Sequence, residues 1–113
     1  MKVRVDRQRW LRGDLNSFLL RESDKKMCCL GFAALAAGAT KDEINGLTSP
    51  ANIPTILPDL VTKDYDDSDY FDNKIADQLM LVNDTESITN DSEREAKIIE
   101  LGNEVGIQFE FIN

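Results

Sequence analysis

The sequence predicts an α+β fold: one small domain over residues 1–113, with several short helices packed on a small antiparallel sheet or hairpin. Three observations carry this. A length of 113 residues with 42% hydrophobic content suits a single domain with a core of its own. Residues 29–37 are rich in the good helix formers Ala and Leu, and 72–82 and 93–105 carry apolar residues on one helical face. The tail alternates at period two through Ile107, Phe109 and Phe111, which marks a strand.

Taken in order, Val3 and Val5 alternate with charged residues, so the chain opens on a short edge strand or on the entry to a helix through 7–12; Gly13 ends that element. Residues 17–29 read as a hairpin around a polar Ser23-Asp24 turn. Helix 29–37 follows, with Gly38 placed for a left-handed C-cap. Its small side chains allow another element to approach closely. Thr40, with Glu43 three residues on, forms a capping-box pattern opening a brief helix. Pro50, Pro54 and Pro58 exclude a continuous helix or a central strand from the middle of the chain. An acidic loop is expected over about 62–72.

Helix 72–82 then presents Ile75, Leu79 and Val82 on one face, with Met80 beside them, and Asn83-Asp84 breaks it. Asn90, Asp91 and Ser92 offer N-caps for helix 93–105, whose apolar stripe is Ala96, Ile99 and Val105 with Ile98 and Leu101 nearby. Its acids gather toward the N-terminal end, where the helix dipole favours them. Gly102 weakens this helix and Gly106 ends it. The terminal segments are candidates for pairing with each other. The expected core holds Leu30, Phe32, Leu35, Leu79, Ile99 and Phe109.

The formal net charge is −8, and it is unevenly spread. Residues 1–58 hold 9 Lys/Arg and 6 Asp/Glu, whereas 59–113 hold 4 and 15. An acidic surface repels nucleic acid and attracts basic partners. Direct nucleic-acid binding is therefore disfavoured, unless Arg4, Arg7, Arg9 and Arg12 form a local patch. The longest apolar run, 28–37, falls well short of the roughly 20 residues of a membrane span. No apolar stretch follows the charged N-terminus as in a signal peptide, so a cytoplasmic location is expected.

The chain has no histidine, which removes His-based triads, His metal ligands and imidazole acid–base catalysis. Two adjacent cysteines cannot complete a Cys/His zinc site or readily bridge each other. No phosphate-cradling glycine motif occurs, and no cofactor is expected. Cys28 and Cys29 follow Lys25 and Lys26 at a helix start, a setting that can lower a thiol pKa. They lack a positioned base and precede core-like residues, so burial as small apolar side chains is the expectation.

Asp64, Asp66 and Ser68 fall on alternate positions like the start of a calcium loop. Asp69 stands where its turn glycine belongs, and Ile75 where its bidentate glutamate belongs. Asp66 and Asp67 form a carboxylate pair of the kind a hydrolase uses, although a solvated acidic face explains the tract as well. Asn83 and Asp84 read as a turn and cap rather than as ligands.

The order of Trp10-Leu11-Arg12-Gly13, Met27-Cys28-Cys29-Leu30-Gly31-Phe32, Leu57-Pro58 and the 79–84 segment LMLVND resembles a family of small, largely uncharacterised phage and prophage proteins. These carry a W-x-x-x-L-R-type helix, a hairpin leading to C-C-L-G, a Pro-containing middle and an L-x-x-[LM]-N-D turn. Here the first helix is truncated and the tail is strand-like. The resemblance implies a phage or prophage setting and carries over nothing catalytic.

The expected function is that of a non-enzymatic accessory protein binding a basic host protein, with Asp64, Asp66, Asp67, Asp69 and Asp72 as the partner-binding residues. One version is an acidic inhibitor of a nucleic-acid-binding defence factor. The alternatives are a phage structural or assembly protein and a carboxylate-dependent metal hydrolase.

Overall fold

In the computed structural model, which describes residues 1–14, 17–49, 57 and 74–113, the two ends of the chain form the sheet. Strand β1 (Lys2–Asp6) pairs with β2 (Gln108–Ile112), in a register running from Lys2 opposite Gln108 to Asp6 opposite Ile112. The pairing is parallel, which corrects the expected antiparallel sheet. Alternation tells which side chains turn inward (here Val3, Val5 and Phe109) but is blind to strand direction. Parallel neighbours need a long crossover, and nearly the whole chain supplies it.

The expected hairpin at 17–29 is present only as a turn. Arg21 N–H donates to Lys26 O at 2.8 Å and Cys28 N–H to Phe18 O at 3.1 Å, and the Asp24 carboxylate accepts from Lys26 N–H. No strand ladder forms between the arms. Each instead makes an isolated parallel bridge elsewhere, Met27 to Trp10 and Leu20 to Asn45. Residues 7–9 are a turn, so β1 does not run on into a helix.

Four helices complete the described residues. Helix α1 (Cys29–Ala36) packs on β1, and its Cys29, Leu30, Gly31, Ala33 and Ala34 are buried. It ends as expected at Gly38, with φ of 110°. Gly38 N–H bonds Leu35 O and Ala39 N–H bonds Ala34 O, the paired closure of a Schellman motif. Helix α2 (Lys41–Ile44) opens on the expected capping box: Glu43 N–H donates to Thr40 Oγ1, and Thr40 N–H to Glu43 Oε1. Helix α3 (Ile75–Asp84) contacts both α1 and α4 (Asp91–Asn103), and α4 lies on β2. Asn90 caps α4, its Oδ1 accepting from Ser92 and Glu93 N–H.

Three expectations change. Asn83 and Asp84 do not break α3; they are its last residues, and Asn83 is fully buried. The buried face of α4 is Arg94, Ile98, Leu101 and Gly102, while Ala96 is exposed and Ile99 half-buried. Reading only apolar residues rotated the stripe, because the inward position at its start holds an arginine. Gly102 does more than weaken the helix: a Cβ there would lie 2.5 Å from Phe109 Cδ2, so the missing side chain lets β2 close against α4.

Leu30, Leu79 and Phe109 are buried as expected, but Phe32 and Leu35 are half-buried at the core's edge. Leu30→Ala is therefore expected to cost about 2–5 kcal/mol in denaturant unfolding, the range for a core leucine. Leu35→Ala should cost less than about 2 kcal/mol, because less surface leaves the interior. Equal losses at the two positions would contradict this orientation of α1.

Candidate functional site

The densest polar constellation among the described residues is buried and centres on Asn83. Its Oδ1 accepts from Trp10 Nε1–H at 2.8 Å and from Cys29 N–H at 3.1 Å. Its Nδ2 donates to Leu11 O at 2.9 Å and to Asp84 Oδ1 at 2.8 Å. One side chain on α3 thus caps the N-terminus of α1, where Cys28 as N-cap makes no side-chain capping bond, and ties down the 10–11 backbone.

Arg94, also buried, sits at the other end of this arrangement. Its guanidinium donates to Val82 O at 2.7 Å, Asn83 O at 2.9 Å and Ile88 O at 2.6 Å. A cation on the last carbonyls of α3 is favoured by the helix dipole as well as by the hydrogen bonds. Gly13 N–H donates to the same Asn83 O.

The arginines near the N-terminus do not form a uniform basic patch. Arg7 makes a forked pair with Glu95, both bonds 2.8 Å, and Arg12 pairs with Asp91 while its guanidinium lies 4.6 Å over the Trp10 ring. Arg4 faces Glu110 at 3.5 Å. The Arg12 hydrogen bond holds the Asp91 carboxyl below its usual range. These contacts, with Phe111 against Trp10 at 4.7 Å between ring centroids, fasten the N-terminal segment to α4 and β2. Arg9 stays exposed.

Both thiols are free and buried. Desolvation pushes Cys28 up to about 12 and Cys29 well above the ordinary thiol range, and the nearby Asp84 carboxylate adds to both. Asp84 is itself raised by burial, offset in part by the Asn83 amide. At neutral pH the thiols are therefore protonated, the opposite of an activated nucleophile. Ellman's reagent should label neither thiol in the native protein faster than the chain opens, and both in denaturant. Immediate labelling under native conditions would contradict the burial.

Among the described residues, no group of three or more Cys, Asp or Glu is arranged to hold a metal ion, and no helix is long and apolar enough to cross a membrane. Asp64, Asp66, Asp67, Asp69 and Asp72, with the acidic loop expected over 62–72, lie outside the described residues. Trp10, Asn83 and Arg94 are the polar centre that sequence reasoning missed. No protein-family model, curated protein or solved structure matches the chain.

Proposed function

We propose that this chain is a non-enzymatic accessory protein of a phage or mobile element that binds a basic host protein in the host cytoplasm, as an acidic inhibitor of a nucleic-acid-binding defence factor. The observation that carries this reading is the charge distribution. Residues 74–113 hold 9 Asp/Glu against 3 Lys/Arg, and one of those cations, Arg94, is buried on backbone carbonyls. Glu86, Asp91, Glu93, Glu100 and Glu104 stand exposed, and Leu81 on α3 is 59% exposed. Exposed carboxylates suit a basic partner, with charge steering the encounter. The sequestered thiols favour binding over thiol chemistry.

The test uses a partner captured from host lysate and then purified. Binding should weaken from 0.1 to 1 M salt, as the Debye length falls from about 10 Å to about 3 Å. Changing Asp64, Asp66, Asp67, Asp69 and Asp72 together to Asn should slow association more than it speeds dissociation. Unchanged affinity and salt dependence in that variant would overturn the assignment of the tract.

A further inference from the structure

We infer that the cleft lined by Arg9, Leu20, Lys25, Lys41, Asp42 and Asn45 binds a small hydroxylated phosphomonoester, a site separate from the acidic surface and independent of the function proposed above. Most cations among the described residues of this acidic chain are already partnered. Arg4, Arg7, Arg12 and Arg21 each face a carboxylate, and Arg94 is spent on carbonyls. Arg9, Lys25 and Lys41 make no ion pair among the described residues, and all three line the same cleft. Unpaired surface lysines are ordinary. Their convergence with an arginine on one concavity is what calls for a ligand.

The three cations come from segments distant in sequence, and backbone hydrogen bonds hold those segments side by side. Leu11 N–H to Met27 O and Met27 N–H to Arg9 O hold the Arg9 segment against the 21–27 turn. Gly46 N–H to Leu20 O holds that turn's other arm against the end of α2. The capping box between Thr40 and Glu43 sets the backbone at Lys41, and Lys25 takes a positive φ of 61° with its N–H bonded to Arg21 O. The backbone positions that carry the cations are thus set before any ligand arrives, and the exposed side chains are ordered on binding.

The lining also limits the ligand's chemistry. Three cations and one carboxylate leave a local balance of +2, matching a phosphomonoester carrying close to two negative charges at neutral pH. Arginine's planar fork suits phosphate oxygens, and lysine serves as a point charge. Asp42 and Asn45 offer acceptors for hydroxyl groups, and buried Leu20 gives an apolar floor. A volume of about 260 Å³ fits a sugar phosphate better than a folded partner.

The test is a titration of the full 15N-labelled chain with ribose 5-phosphate, inorganic phosphate and ribose, at constant ionic strength. Ribose 5-phosphate should give saturable shifts centred on the amides of residues 9, 25, 41 and 45, with ribose giving none. Lys25→Gln with Lys41→Gln should weaken binding at least tenfold without changing the melting temperature, since both side chains are exposed. Weaker binding of inorganic phosphate than of the ester supports the hydroxyl contacts. Phosphate binding equal to the ester overturns the ester assignment. Absence of saturable shifts at these amides, or equal binding by the double variant, overturns the site.

Discussion

Replacing Asn83 by Leu should destabilise the protein by about 3–5 kcal/mol, a large fraction of a domain's total stability. The branched skeleton is kept, but methyl groups replace atoms that sit 2.8–3.1 Å from their partners, so crowding adds to the lost hydrogen bonds. Trp10 Nε1–H and Cys29 N–H lose their acceptor, and Leu11 O loses a donor, all in the interior. Each buried group left unsatisfied costs about 1–3 kcal/mol. Asn83→Asp keeps the acceptor, loses the donor and sets a second carboxyl beside Asp84. Burial and that neighbour raise the new group's folded pKa, so its ionised form is the costly one. Stability should therefore be better kept at pH below the unfolded carboxylate pKa and lost as pH rises through the folded one. Chemical denaturation across pH checks both variants; a loss below about 1 kcal/mol for Asn83→Leu would contradict the hub.

Gly31→Ala is the second large effect, and its sign separates packing from helix propensity. Propensity alone favours alanine by about 1 kcal/mol in a helix interior. A Cβ at Gly31, however, would lie 1.9 Å from Leu19 O and 2.8 Å from Leu19 C. That backbone cannot easily retreat, because Leu19 N–H is bonded to Leu47 O at 2.7 Å and Leu20 bridges to Asn45. Overpacking against a pinned backbone should outweigh propensity, giving a net loss of about 2–3 kcal/mol and a melting temperature lower by roughly 10 °C or more. A Gly31→Ala protein as stable as the parent would mean that 17–20 does not cross α1 as described.

What was legible in the sequence is what local chemistry decides. The Thr40/Glu43 capping box, the Gly38 terminus of α1 and the Asn90 cap each depend on a few neighbouring residues, and each is formed. The parallel pairing of β1 with β2 depends on partners about a hundred residues apart, which alternation alone does not encode. The polar hub was misread for a different reason. Ile75, Leu79 and Asn83 occupy one buried helical face at steps of four, as do Arg94 and Ile98. Following that spacing through the polar residues would have turned Asn83 and Arg94 inward. Stopping at the last apolar residue made Asn83 a helix breaker and shifted the α4 stripe toward Ala96. The acidic tract offers no comparison, since it lies outside the described residues.

The most direct test of the hub is hydrogen exchange at the indole Nε1–H of Trp10, the chain's one tryptophan and so an unambiguous NMR resonance. With that proton held on buried Asn83 Oδ1, exchange should be slow and should track global unfolding, accelerating in Asn83→Leu in step with its lost stability. An indole proton that exchanges in the native protein as fast as one in a free peptide would contradict the placement of Trp10, Asn83 and the N-terminus of α1 around one buried centre.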